Sequence, residues 1–252
     1  MSIYKRYYRF CEEMKMDFQD IYQTRAAAAV RGHALRTPGC VLPENLTDKA
    51  VESLGQVECT EILGLGKVWD VKLYRFKRGH EDLPRVKQVL GFLKGVCPGS
   101  LLDVGSGRGV FLFPFLNSFP KTEVTSLDIL DHRVQFLEDI RQGGISNLTP
   151  MLADICTQPL PDKSADVVTM LEVLEHIPDV QAAVTAAVHI ARHYVVVTVP
   201  SKPDDNPEHI HLLTKPVLTE LFKNAGCDKL HFSGVPGHLI LMVTVSQENQ
   251  NE

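Results

Sequence analysis

The sequence predicts an α/β protein with a doubly wound, mostly parallel seven-stranded sheet and a helical N-terminal extension. From about residue 98 onward, short apolar segments of strand length alternate with segments of helix length, as strand–helix–strand units do. Before that point the sequence is charged and irregular. The 252 residues, 44% of them hydrophobic, suffice for one large domain and an extension.

The predicted elements follow one another in a regular order after residue 98. Five apolar segments are strand candidates, over 101–104, 123–127, 148–153, 165–171 and 194–199. Helices are predicted over 110–116, 131–142, 180–191 and 215–225. Pro114 is an awkward residue inside the first helix. The fifth strand is apolar on both faces, which favours a buried central position. Two closing strands are predicted over 229–233 and 238–245.

The first 95 residues are predicted to be a helical extension that packs on the core as a substrate cap. Its helices are expected over 4–31, 47–54 and 83–93, with Thr47 as the N-cap of the second. The regular α/β domain is expected over 96–246. Residues 247–252 are polar and are predicted to form a flexible tail.

Composition and cysteine spacing argue against several classes of protein. No apolar run approaches the roughly 18 residues of a membrane helix, and the basic, aromatic N-terminus does not resemble a secretory signal. The six cysteines have no Cys-x-x-Cys spacing and are expected to be reduced thiols. We therefore expect a cytoplasmic protein that has no membrane partner.

A glycine-rich loop, Asp103-Val-Gly-Ser-Gly-Arg-Gly109, follows the first predicted strand and opens a helix. Its three glycines allow a tight turn and a close approach of the backbone to a ligand. The third glycine comes one residue earlier than in the Gly-x-Gly-x-x-Gly pattern of dinucleotide-binding folds. Asp128 ends the next strand, where a carboxylate can accept hydrogen bonds from a ribose.

This hydrophobic-Asp-x-Gly-x-Gly-x-Gly pattern resembles that of the class I S-adenosylmethionine-dependent methyltransferases, over roughly residues 98–245. The resemblance implies a Rossmann-like methyltransferase fold and S-adenosyl-L-methionine as the cofactor. In that family an acid at the position of Asp154 lies against the adenine amine. The cofactor-binding residues implied are Asp103, Gly105, Ser106, Gly107, Gly109, Asp128, Ile129, Asp154, Ile155 and Leu171.

The loop after the fourth strand reads Leu171-Glu-Val-Leu-Glu-His-Ile-Pro178. Glu172, Glu175 and His176 have the spacing that places side chains on one face of a helical turn. Two carboxylates and an imidazole make a candidate site for a divalent cation such as Mg²⁺ or Mn²⁺. The alternative is that this segment orients the substrate without a metal.

The loop after the fifth strand carries His209 and His211, and the two loops are expected to meet. The small-RNA 3′-terminal 2′-O-methyltransferases are similar here, with Glu-x-x-Glu-His in the first loop and a histidine shortly before a threonine in the second. This resemblance implies a catalytic and metal-binding set of Glu172, Glu175, His176 and His209. His211 is an alternative to His209. The ubiquinone-biosynthesis O-methyltransferases are similar in the first loop.

Substrates of both families present neighbouring hydroxyl groups. The sequence therefore favours metal-assisted O-methylation of a small molecule with vicinal hydroxyls. A first alternative is methylation of an RNA 3′-terminal ribose. Eight basic residues between Lys67 and Lys94, interleaved with Trp69, Tyr74 and Phe76, suit a nucleic-acid contact. The favoured interpretation of this segment is a solvated helix face with its aromatic rings in the domain interface. A second alternative is a non-catalytic cofactor-binding partner subunit.

Overall fold

A computed structural model describes residues 20–76, 80 and 82–245 of the chain. The described residues form two compact units. The first comprises 20–76, 80 and 135–146, and the second comprises 82–134 and 147–245. The start of the predicted helix over 4–31 and the predicted tail over 247–252 lie outside the described residues.

Helices and strands succeed one another along the chain, with short 3₁₀ turns at Val51–Ser53, Leu73–Phe76 and Leu174–His176. The order is α1 (Asp20–Arg36), α2 (Glu44–Thr47), α3 (Gln56–Val68), α4 (Pro84–Val96), β1 (Ser100–Val104), α5 (Leu112–Ser118), β2 (Glu123–Asp128), α6 (Asp131–Gln142), β3 (Leu148–Leu152), β4 (Ala165–Leu171), α7 (Val180–Ile190), β5 (Ala191–Pro200), α8 (Lys215–Asn224), β6 (Leu230–Val235) and β7 (His238–Thr244). None of the helices in the described ranges is long and apolar enough to cross a membrane.

Close helix packing and an ion pair between α1 and α6 stabilise the first unit. The alanine run Ala26–Ala29 of α1 is fully buried. Small residues permit backbone contact, since a Cβ added to Gly32 would lie 1.8 Å from the backbone oxygen of Asp139. The Arg36 guanidinium donates to both carboxylate oxygens of Asp139 at 2.9 Å, a bidentate geometry. The C-terminal half of α6 therefore belongs to the helical unit.

The second unit contains the predicted seven-stranded sheet, which is confirmed. Its strand order is β3-β2-β1-β4-β5-β7-β6. All pairings among the first five strands are parallel: β3 with β2, β2 with β1, β1 with β4, and β4 with β5. Strand β7 is antiparallel to both β5 and β6. Residues 167–170 of β4 and 195–199 of β5 are buried on both faces, which explains their continuous apolar sequence.

The strand order places the predicted loops at one edge of the sheet. The chain runs outward from β1 to β3 and then returns to β4, on the other side of β1. Ligands bind at this type of switch point, beyond the carboxyl ends of the strands. The loops after β1, β4 and β5 therefore converge on the same region, as the sequence predicts.

Three local predictions need correction. Pro114 does not disturb a helix, because α5 begins at Leu112 and a first-turn residue needs no N–H donor. Thr47 does not begin a helix; it ends α2, and its hydroxyl donates back to the carbonyl of Pro43. The unit boundary lies near residue 80, not 95. Helix α4 contacts α5 and β6, and Gln88 donates to Ser233 at 2.8 Å.

Candidate active site

A cavity of about 690 Å³ lies beyond the carboxyl ends of the strands in the second unit. Nine of the ten predicted cofactor residues line it: Asp103, Gly105, Ser106, Gly107, Asp128, Ile129, Asp154, Ile155 and Leu171. The tenth, Gly109, is not among the lining residues. Its φ of 78° and the ring of Phe113, which a Cβ would meet at 2.3 Å, show that it closes the turn.

The glycine loop adopts the tight turn predicted for it. Gly105 has a φ of 66°, a backbone conformation that favours glycine. Its N–H donates to the carbonyl of Leu127 at 2.6 Å. A Cβ at this position would lie 2.7 Å from Val173 Cγ2, and a β-branched side chain cannot easily yield. The loop is thereby held between β2 and the segment after β4.

Asp103 is buried, and both of its carboxylate oxygens have donors. The Ser106 hydroxyl donates to one oxygen at 2.5 Å, and the Thr169 hydroxyl donates to the other at 2.7 Å. Ser126 donates in turn to Ser106 at 2.7 Å. Burial nevertheless raises the pKa of Asp103 to about 6, against the lowering effect of these hydrogen bonds. This network fixes the base of the glycine loop.

Asp128 ends β2 at the mouth of the cavity and is almost fully buried. Its carboxylate accepts from the N–H of Gly107 at 3.2 Å and of Leu130 at 3.0 Å, and Arg133 lies 3.5 Å away. The neighbouring Ile129 is 66% exposed although it is apolar. A carboxylate beside an exposed aliphatic face suits a ribose with its attached base.

Glu172 follows β4 with a φ of 58°, which is unusual for a residue with a side chain. Its N–H donates to the carbonyl of Thr198 at 2.8 Å, and the Thr198 hydroxyl donates to its carboxylate at 2.7 Å. The other carboxylate oxygen lies 3.6 Å from Nδ1 of His238. The predicted helical face shared by Glu172, Glu175 and His176 is therefore wrong, because the helical turn covers only Leu174–His176.

Glu175 is 1% exposed, and neither carboxylate oxygen has a hydrogen-bond partner outside its own residue in the described ranges. Burial, with a smaller contribution from the negative charges of Glu172 and Asp204, raises the pKa of Glu175 to about 7. Its backbone carbonyl accepts from the N–H groups of Ile210 at 2.9 Å and His211 at 3.3 Å. The two predicted loops therefore do meet, with Glu175 at their junction.

His176 and His209 lie beside Glu175, with ring centroids 4.7 Å apart. One ligand atom from each of the three residues can be chosen so that all lie within 4.8 Å of one another. Nδ1 of His176 lies 2.9 Å from the carbonyl oxygen of Glu208, and Nδ1 of His209 lies 2.8 Å from a carboxylate oxygen of Asp204. Because these oxygens only accept, both neutral rings carry the proton on Nδ1 and leave Nε2 free.

The donor set fits a divalent cation of the transition series. An unpartnered buried carboxylate and two imidazole nitrogens, one backed by a carboxylate, are typical ligands and second-sphere contacts. His211 is not in this group, and its Nε2 lies 3.1 Å from the carbonyl oxygen of Ile177. Glu172 is not in it either. Of the four predicted ligands, the structure brings together Glu175, His176 and His209.

Three residues around Glu172 were not predicted from the sequence to belong to the site. Arg85 and Thr198 line the cavity, and His238 contacts Glu172. The sequence placed Arg85 in a basic surface segment and left His238 without a role. They are far from Glu172 along the chain, so no local spacing could connect them. Phe76, a candidate for base stacking in the same segment, is 1% exposed.

The fold, the glycine loop and the acid at the end of β2 agree with the class I S-adenosylmethionine-dependent methyltransferase domain that the sequence predicts. Residues 102–194 match the model of the methyltransferase domain family. The prediction of this domain class, whose cofactor is S-adenosylmethionine, is confirmed.

A malonyl-[acyl-carrier protein] O-methyltransferase from Methylococcus capsulatus is 32% identical over 74 residues. This match covers 29% of the chain and about a quarter (26%) of the length of the relative.

Solved structures show that the fold is shared. A methyltransferase from Aquifex aeolicus matches with a TM-score of 0.56 and 18% identity, covering 67% of this chain and 93% of its own. The 1,6-didemethyltoxoflavin-N1-methyltransferase of Burkholderia thailandensis, solved with its acceptor and S-adenosylhomocysteine, matches with a TM-score of 0.55 and 17% identity. That match covers 66% of this chain and 80% of the other.

Proposed function

We propose that the protein transfers the methyl group of S-adenosylmethionine to a hydroxyl oxygen of a small molecule with neighbouring hydroxyl groups. A divalent cation held by Glu175, His176 and His209 assists this transfer. The observation that carries the proposal is the buried Glu175 carboxylate, which lies beside two imidazole rings and has no hydrogen-bond partner outside its own residue among the residues that the structure describes. A buried carboxylate in this state is costly unless a ligand completes it.

Residues of the cavity divide between the methyl donor and the acceptor. Asp128 would bind the ribose hydroxyls, and Asp154 would accept from the adenine amine. Gly105 and Asp103 would hold the methionine end, beside the loop after β4. Glu172 and His176 line the same cavity, so the acceptor would lie between the donor's methyl group and the cation ligands.

Positioning and proton removal are the tasks of the protein in this reaction. When bound, a divalent cation lowers the pKa of the hydroxyl group that is to be methylated. Glu172 accepts the hydroxyl proton as the oxygen–carbon bond forms and the carbon–sulfur bond breaks. Sulfur then leaves as a neutral thioether, and Glu172 passes the proton to water. Thr198 holds the Glu172 carboxylate throughout.

The chemistry of Glu172 favours an acceptor that donates a hydrogen bond. A carboxylate acceptor, such as a malonyl group, would face the Glu172 carboxylate and be repelled. An RNA terminus offers vicinal hydroxyls too. However, Phe76 is buried, and the basic segment 67–94 is divided between the two units. These observations favour a small acceptor.

The test measures transfer of labelled methyl groups from S-adenosylmethionine to four classes of acceptor, with Mn²⁺ or with a chelator. The classes are catechols, aliphatic vicinal diols, a malonyl thioester and small RNA. We expect Mn²⁺-dependent labelling of catechols or diols, which the Glu175→Gln variant loses. Labelled RNA with periodate-resistant 3′ ends would replace the proposal with the RNA alternative. Cofactor binding without transfer to any class would favour the non-catalytic alternative.

A further inference from the structure

A chain of polar side chains leads from α4 to the carboxylate of Glu172. Nη1 of Arg85 lies 3.3 Å from Nε2 of His238, and Nδ1 of His238 lies 3.6 Å from one carboxylate oxygen of Glu172. The Thr198 hydroxyl donates to the other oxygen at 2.7 Å. All four residues belong to the second unit, and Arg85, Glu172 and Thr198 line the cavity.

The direction of this chain follows from the chemistry of the guanidinium group. A guanidinium can only donate, so Nε2 of His238 must accept from Arg85. A neutral imidazole then carries its proton on Nδ1, the nitrogen that faces Glu172. This Nδ1 is buried and has no hydrogen-bond partner in the described part of the chain. Glu172 is the nearby acceptor, and contacts of this kind shorten when substrate is bound.

The backbone conformation of Glu172 and the pairing of the neighbouring strands also fix the position of the Glu172 carboxylate. Its φ of 58° is held by the hydrogen bond from its N–H to the Thr198 carbonyl. His238 begins β7 and pairs in register with Pro200, two residues beyond Thr198. The hairpin of β6 and β7 therefore places the imidazole beside the carboxylate oxygen of Glu172 that the Thr198 hydroxyl does not contact.

We propose that Arg85, His238 and Thr198 are positioning residues that aim the Glu172 carboxylate at the methyl acceptor. Arg85 fixes the tautomer of His238, and His238 and Thr198 each hold one carboxylate oxygen. The remaining lone pairs of Glu172 then face the cavity and select an acceptor with an O–H or N–H donor. The inference rests on the proposed function for the identity of the reaction, but the side-chain arrangement can be tested without it.

The first experiment is a two-bond ¹⁵N–¹H spectrum of the histidine rings in the full chain. We expect His238 as the neutral Nδ1–H tautomer in the wild type, and a mixture of tautomers in Arg85→Met. Assignment comes from the His238→Asn spectrum. An Nε2–H tautomer, or a spectrum that Arg85→Met leaves unchanged, would overturn the inference even if no acceptor were known.

The second experiment measures steady-state methyl transfer to the acceptor that the labelling test identifies. His238→Ala should lower kcat roughly ten- to one-hundredfold, because a hydrogen bond to a charged group is lost. The KM for S-adenosylmethionine should not change. His238→Asn should restore most of the rate, since its amide nitrogen can occupy the position of Nδ1. His231→Ala, on the exposed side of β6 in the same hairpin, is the matched control and should behave as wild type.

A double-mutant cycle separates positioning from a merely structural role. In a Glu172→Gln background, His238→Ala should cost little further activity, because His238 acts through that carboxylate. Additive losses would refute the inference. A wild-type protein that transfers no methyl group would refute the proposed function instead, and the tautomer experiment would still decide the arrangement of Arg85 and His238.

Discussion

Asp103 and Glu175 are two buried carboxyl groups near the carboxyl ends of the neighbouring strands β1 and β4, yet their surroundings differ. Asp103 has a hydroxyl donor for each oxygen, whereas no described residue other than Glu175 itself donates to the Glu175 carboxylate. Both have a raised pKa, to about 6 and about 7 respectively, because both are buried. The number of hydrogen-bond donors, more than burial or pKa, therefore distinguishes Asp103, which supports a loop, from Glu175, which we propose binds a cation.

The largest expected difference between these regions is in turnover. Glu175→Gln keeps the shape of the side chain but removes the anionic ligand, so methyl transfer should fall roughly 100- to 1000-fold. Affinity for S-adenosylmethionine, measured by calorimetry, should be unchanged. Glu220→Gln, the same chemical change on an exposed face of α8, is the control. Parallel losses of turnover and cofactor affinity would show that the two regions are not separable.

The second effect concerns stability and pH at Asp103. Its pKa in the folded protein, about 6, lies above the ordinary value of 3.8, so the fold holds the proton more tightly than the unfolded chain does. The stabilisation from the protonated carboxyl group is present below about pH 4 and is lost as the pH rises to about 6. This loss is about 3 kcal/mol. Urea unfolding across this range should show it in the wild type and not in Asp103→Asn. If the free energies of unfolding of the wild type and Asp103→Asn changed in parallel with pH, this prediction would be contradicted.

The third effect is on cofactor affinity alone. Asp128→Ala removes the carboxylate proposed to bind the ribose, and loss of charge-assisted hydrogen bonds should weaken S-adenosylmethionine binding about 30-fold. Turnover at saturating cofactor should fall far less. Asp128→Asn keeps an acceptor for only one of the Gly107 and Leu130 N–H groups, so its affinity for S-adenosylmethionine should lie between those of the wild type and Asp128→Ala. Wild-type affinity in Asp128→Ala would place the ribose elsewhere.

The smallest effect separates the two histidines that the sequence left as alternatives. Mn²⁺ at about four times its dissociation constant stabilises the folded protein by about 1 kcal/mol and should raise the Tm of the wild type by about 2–4 °C. His209→Gln should abolish this shift, whereas His211→Gln should retain it, because His211 is outside the group of Glu175, His176 and His209. The reverse result would assign the ligand to His211.

Much of the α/β unit could be predicted because its signals are local. Continuous apolar runs such as 165–171 and the helical period of 131–142 identify elements whose bounds the structure reproduces. The helical unit was harder to predict. Helix α3 was missed altogether, and Thr47 was given the wrong end of a helix. Helix α3 packs against α1, which contains the fully buried Ala26–Ala29, and packing partners cannot be inferred from spacing alone.

The candidate site likewise contains residues that could be placed from the sequence and contacts that could not. Gly105, Asp128 and Asp154 belong to segments that directly follow strands, so their positions at the cavity follow from the fold. The sequence could not show that Glu172 has a φ of 58° and lies outside the group of Glu175, His176 and His209. It could not link His238 to Glu172 either, since the contact is made by an antiparallel pairing between β5 and β7. Non-local pairing of this kind leaves no periodic signal.

The carbonyl of Glu175 accepts hydrogen bonds from Ile210 and His211 in the loop after β5. These hydrogen bonds anchor the loop, so we expect its part from Asp204 to His211 to need a constant length. Lys202 and Pro203 precede this part and are exposed. An insertion at 202–203 should be tolerated, because it lengthens an exposed loop without moving the anchored histidine. Protein engineers could therefore graft peptides of varied length there while the arrangement of Glu175, His176 and His209 stays intact.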